Sequence, residues 1–158
     1  MFHRIMIFAL AAIAFADPSF AQPSAPQSAN DPLNSPAAPG SWSYGVIQGA
    51  SDAIFRDPNG NPQLTVRCNR ATRRVIFIRP ASASAPTLQL WTSSAARSLP
   101  ATYDPASARI SAEVSAFDRL LDALAFSRAR FAVGVTGSAP LVVPNWPEAT
   151  RAIEDCRN

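Results

Sequence analysis

Between Trp42 and Val114 the chain alternates apolar and polar residues with a period of two, and this pattern confines it to a strand-built fold. Successive side chains of a strand point to opposite faces. Each alternating run therefore belongs to a sheet with one covered and one wet face. Trp42, Tyr44 and Val46 share one face of a first run, and Ala53-Ile54-Phe55 forms a short second one. The turn signal Asp57-Pro58-Asn59-Gly60-Asn61 follows. Leu64, Val66 and Cys68 face one way in a third run, with Thr65 and Arg67 opposite. A short connection, Asn69 to Thr72, leads into Val75-Ile76-Phe77-Ile78, which is apolar on both faces, is predicted to be central, and ends at Pro80. Leu88 and Leu90 alternate with Gln89 and Trp91, and Ile110, Ala112 and Val114 with Arg109, Ser111 and Glu113.

Two helical patterns follow. Phe117, Leu120, Leu121 and Leu124 recur at i, i+3, i+4 and i+7, which predicts a core-facing helix from about Ala116 to Ser127, capped by Ser115 with Asp118 three residues on. Phe131, Val133 and Val135 alternate as a further strand, and Leu141-Val142-Val143 is a short apolar run. A second helix is predicted from about Trp146 to Asp155. Asn145 caps it, Pro147 stands in its first turn, and Trp146, Ala149, Ile153 and Cys156 lie on one side. The expected fold is α+β: a strand-rich antiparallel sheet or sandwich with two helices in its C-terminal half, built as a single domain over residues 41–158.

The first 21 residues, MFHRIMIFALAAIAFADPSFA, have the three parts of a secretory signal peptide: Arg4 in the n-region, an apolar h-region from Ile5 to Ala16, and Ser19-Phe20-Ala21 before the expected cleavage at Gln22. Ala14-Phe15-Ala16 is an alternative site. The apolar run falls well short of the roughly 20 residues that cross a bilayer. Residues 22–40 are rich in Pro, Ala and Ser, carry one large apolar side chain, Leu33, and are expected to form a disordered tether. The mature chain is expected to be a soluble periplasmic protein, with secretion beyond the envelope as the alternative.

Export gives Cys68 and Cys156 an oxidising compartment, and two cysteines there are expected to form one disulfide. Closing so long a loop stabilises the fold by roughly 4 kcal/mol in the chain-entropy account. A redox-active pair normally stands close in sequence as Cys-X-X-Cys, which this chain lacks.

Cleavage also narrows the chemistry. His3 is the only histidine and leaves with the signal peptide, and the chain has no lysine. Histidine-activated nucleophiles, the commonest ligand of transition metals, and lysine Schiff bases are thereby excluded from the mature chain. It has no Gly-rich phosphate loop or dinucleotide fingerprint, and neither cofactor nor metal is expected. Proton transfer would fall to carboxylates, the best pair being Asp118 and Asp122, one turn apart. They suit a small envelope hydrolase or transferase. Equally, Asp118 suits a helix N-terminus and Asp122 a solvated face near Arg119.

Arg67, Arg70, Arg73, Arg74 and Arg79 surround the predicted hairpin with no acid among them. Arginine forks suit phosphate and carboxylate. Export disfavours nucleic acid, so the expected partner is an anionic envelope component or an acidic protein. The plainer reading is a solvated sheet face that discourages edge pairing. Trp42, Tyr44 and Trp91 are a second candidate surface, or core filling for a small sheet.

The order of an early Trp42, the strand Leu64-Thr65-Val66-Arg67-Cys68, the run from Asp118 to Phe131 and the ending Ile153-Glu154-Asp155-Cys156 resembles small exported proteins of Gram-negative bacteria, including the VasI-type proteins associated with type VI secretion. The resemblance spans Trp42 to Cys156 and implies an accessory envelope protein with no known catalytic residues, so that no functional residue is carried over from it. The expected function is therefore binding or scaffolding rather than catalysis.

Overall fold

Leu64, Val66 and Cys68, the apolar side of the third alternating run, are all buried, and the sheet is built around them. The computed structural model describes residues 31–158. Its strands are β1 (Ser41–Ile47), β2 (Ala50–Arg56), β3 (Pro62–Asn69), β4 (Arg74–Pro80), β5 (Thr87–Trp91), β6 (Ala96–Pro100), β7 (Thr102–Asp104), β8 (Arg109–Ser115), β9 (Arg130–Val135) and β10 (Leu141–Pro144). Helix α1 (Arg119–Ala125) precedes β9, and α2 (Pro147–Asp155) follows β10. A six-stranded sheet has the order β1-β2-β3-β4-β8-β7 and a four-stranded sheet the order β10-β9-β5-β6, with every pairing antiparallel. This is the expected strand-rich α+β architecture with both helices in the C-terminal half.

The two sheets share one core. Phe55, Leu64 and Phe77 from the larger sheet join Leu88, Leu90 and Phe131 from the smaller one. The Trp42 ring stands 5.5 Å from Phe55 and 6.1 Å from Phe131, and its indole N–H donates to the Pro144 carbonyl at 2.8 Å. Helix α2 lies on β1, β2 and β3, while β5 and β6 meet β8. Strand β4 is interior to its sheet, as its apolar run requires, with Val75 and Phe77 inward and Ile76 and Ile78 half-buried on the outer face.

Helix α1 starts later than the periodicity predicts, whereas α2 starts within one residue of its expected position. Asp118, not Ser115, is the N-cap of α1, its carboxylate accepting from the Leu120 N–H at 2.9 Å. Phe117 thus stands before the helix and is 59% exposed instead of joining Leu120, Leu121 and Leu124 in the core. Trp146 occupies the N-cap position of α2 without a capping side chain and is 42% exposed. The buried face of α2 is Ala149, Ala152, Ile153 and Cys156. Asn145, expected to cap α2, instead donates from Nδ2 to the carbonyls of Leu124, Ala125 and Ser127 at 3.0, 3.3 and 2.9 Å. It therefore serves the C-terminal end of α1, where carbonyls have no helical partner.

Cys68 and Cys156 form the expected disulfide, with Cα atoms 5.3 Å apart, and tie the end of α2 to β3. The expected signal peptide, residues 1–21, and residues 22–30 of the expected tether lie outside the described residues. Residues 31–40 are built into the fold. Pro32–Asn34 forms one 3-10 turn capped by Asp31, the Ala38 N–H donates to Val142 O at 2.8 Å, and Arg130 donates to Ser35 O at 2.7 Å. Gly40 is required where this segment turns into β1, because a Cβ there would lie 2.2 Å from the Arg56 carbonyl oxygen. The ordered unit thus begins before the expected start at Ser41. No described helix is long and apolar enough to cross a membrane.

Candidate functional site

Strand register places one end of the larger sheet in a single row: Ile47 pairs with Ala50, Ala50 with Asn69, Asn69 with Arg74, and Arg74 with Ser115. The β1–β2 turn, the β3–β4 turn and the segment entering α1 therefore form one rim. Backbone bonds fasten its parts together. The Arg70 N–H donates to Gly49 O at 3.2 Å, and the Ala116 N–H donates to Arg73 O at 2.9 Å. Val46, Ile47 and Phe117 on this rim are 61%, 48% and 59% exposed, and the Phe117 ring stands beside Arg73.

The five arginines do not act as one patch. Arg67 projects from the outer face of β3 and binds Asp52 on β2 through both Nε and Nη2, at 2.7 and 2.6 Å. The hydrogen bond to Asp52 raises its pKa further. Arg74 pairs with Glu113 across β4 and β8 at 3.0 Å. Arg79 turns inward, donates to the Val133 carbonyl of the other sheet at 2.7 Å, and has its pKa lowered by burial. Arg70 reaches Asp155 at a looser 3.5 Å, and its side chain remains 44% exposed. Arg73 sits 5.9 Å from the Phe117 ring centroid and has no carboxylate partner among the described residues. It holds a positive φ of 49°, a conformation unusual outside Gly, Asn and Asp. The structure thus leaves Arg70 and Arg73, with Phe117 beside them, as the accessible members of the set.

The paired carboxylates are separated by their partners. Asp118 caps α1 and accepts from Arg97 at 2.7 Å. That hydrogen bond is the main reason its carboxyl is held below the usual range, where it stays ionised. Asp122 pairs with Arg157, also at 2.7 Å, rather than with its helical neighbour Arg119. The two acids face different arginines and share no site. Among the described residues, no group of three or more His, Cys, Asp and Glu is placed to hold a metal ion.

Of the aromatic candidates, Trp42 is core. Tyr44 is half-buried, donates its hydroxyl to Asp155, and carries Arg151 4.4 Å above its ring. Trp91 lies over Gly134, where a Cβ would approach its ring to 2.7 Å. Two clefts, of about 580 and 500 Å³, lie away from the rim. The first is lined by Ser93, Phe126, Arg128 and Arg130 among others, the second by Trp146, Thr150, Arg151 and Glu154 among others. Sequence reasoning missed Phe117 as a surface residue. Reading Asp118 as the cap would have placed Phe117 outside the helix and supplied the signal. No protein-family model, curated protein or solved structure matches this chain.

Proposed function

We propose that this is an exported periplasmic protein that acts by binding, and that its rim meets an anionic surface of the cell envelope through Arg70, Arg73 and Phe117. The observation that carries this reading is the rim itself: two accessible guanidinium groups, one without a carboxylate partner, beside an exposed aromatic ring. A guanidinium is weakly hydrated and forks onto phosphate or carboxylate oxygens, while an exposed Phe gains by leaving water at an interface. The disulfide fits an oxidising compartment. Catalysis by Asp118 and Asp122 is disfavoured because one is a cap held ionised and each is bound to its own arginine.

Flotation of the purified mature protein with vesicles tests the reading. It should rise with phosphatidylglycerol vesicles and not with phosphatidylcholine, and the R70S/R73S double variant should remain in the dense fraction while still unfolding cooperatively, with no more than the small loss of stability that the half-exposed Arg70–Asp155 pair accounts for. Equal flotation of wild type and variant, or none with either lipid, would overturn it.

A further inference from the structure

A sheet edge exposes unpaired N–H and C=O groups, and proteins normally protect such edges with charges, prolines, short strands or a covering segment. Three of the four edges described here are protected. Strand β7 is only three residues long and ends in Asp104. Strand β6 carries Arg97 and Pro100. Strand β10 ends in Pro144 and is covered by the leader, whose Ala38 N–H binds Val142 O. Among the described residues, strand β1 has none of these devices. Its seven residues, Ser-Trp-Ser-Tyr-Gly-Val-Ile, contain neither charge nor proline, and pair with β2 without a bulge.

From this edge we infer that β1 pairs with β1 of a second copy of this chain, joining two six-stranded sheets into one. The sequence of β1 suits antiparallel self-pairing. With the two-fold axis at Tyr44, Ser43 faces Gly45, Trp42 faces Val46 and Ser41 faces Ile47 of the second copy. The β1 side chains set no like charges opposite one another, and the one like pair near the axis is Arg151, which lies over the Tyr44 ring, with its own copy. The small side chains Ser41, Ser43 and Gly45 leave the outer face unobstructed. Val46 and Ile47, 61% and 48% exposed in one copy, gain neighbours at the ends of the new ladder. Helix α2 beside the seam presents both signs, exposed Arg151 and exposed Glu154, so a two-fold copy meets a mixed surface.

The size of the seam bounds its strength. A strand of this length runs roughly 24 Å, and the sheet with its helix layer is about 20 Å deep, so a pair buries on the order of 1,000 Å² in total. That is at the small end of specific interfaces, and the dimer should dissociate at concentrations on the order of micromolar. The inference rests on the β1 edge and not on Arg70, Arg73 or Phe117, which lie outside β1; Val46 and Ile47 are the residues that rim and seam share.

Sedimentation equilibrium on the mature chain, with hydrogen exchange at high and low concentration, tests it. The wild type should show a reversible dimer, and β1 amides should gain protection as concentration rises. V46K and S43K each place a charge at an exposed β1 position and should weaken the dimer at least tenfold without lowering the melting temperature. Phe117→Ser should leave it unchanged. A wild type that is monomeric up to about 1 mM, weaker than any specific association expected of a seam of this size, would overturn the inference. So would a dimer indifferent to both β1 substitutions, or β1 protection that appears only when a foreign peptide is added.

Discussion

Replacing both cysteines with alanine removes the covalent link between α2 and β3. The bridge spans 88 residues and both cysteines are buried, at 0% and 1% exposure. The chain-entropy relation assigns a loop of that length about 4.5 kcal/mol at room temperature. Loss of two small buried side-chain groups adds to this. What remains to hold α2 is the contact of Ala149, Ala152 and Ile153 with the sheet, the Tyr44 and Arg70 bonds to Asp155, and the Arg157 bonds to Ala116 O and Asp122. The alanine pair should therefore lower unfolding free energy by about 4–5 kcal/mol. Against a typical total of about 5–15 kcal/mol, the variant should be folded only marginally. Urea titration followed by tryptophan fluorescence measures the change. Its slope carries a second signature: an uncrosslinked unfolded chain exposes more surface, so the m-value should rise. A loss below about 1 kcal/mol, with an unchanged slope, would refute the assignment of a major stabilising role to this bridge.

Two other substitutions follow from the geometry. Asn145→Ala strips donors from the carbonyls of Leu124, Ala125 and Ser127 and should cost about 1–3 kcal/mol in urea unfolding, whereas a change within error would show that water replaces the amide. The folded carboxyl of Asp118 titrates below its unfolded value, chiefly because of Arg97. Its contribution is therefore present above the unfolded value of about 4 and is lost as pH falls through the lowered folded value. Stability of Asp118→Asn should accordingly depend less on pH below about 4 than that of the wild type, and parallel curves would contradict this.

Much of the fold was legible because burial on one face imposes period two on a strand. Leu64, Val66 and Cys68, and Ile110, Ala112 and Val114, all point inward as their spacing requires. Strands β6 and β7 escaped notice because edge strands bury little: β6 has Leu99 as its single buried residue, and β7 is three residues long. The start of α1 differs from the expected one because Ser115 and Asp118 are both competent caps, and only the fold decides between them. Asn145 was assigned to the helix it precedes because its partners, Leu124 to Ser127, are distant in sequence and near only in the folded chain. The arginine cluster was visible as a composition. Its division into Arg67, Arg74 and Arg79 with structural partners, and Arg70 and Arg73 left accessible, depends on cross-strand neighbours such as Asp52 and Glu113.

The central claim is that the rim binds an anionic surface by charge, and the salt dependence of vesicle binding tests it most directly. Each basic residue near an anionic surface contributes about 1 kcal/mol, so Arg70 and Arg73 together should account for roughly a thirtyfold change in partition coefficient. Binding to phosphatidylglycerol vesicles should weaken steadily as salt is raised and the Debye length falls from about 10 Å to about 3 Å. The R70S/R73S variant should start weak and respond little. Wild-type binding that ignores salt, or a double variant that binds as tightly as the wild type, would contradict the account.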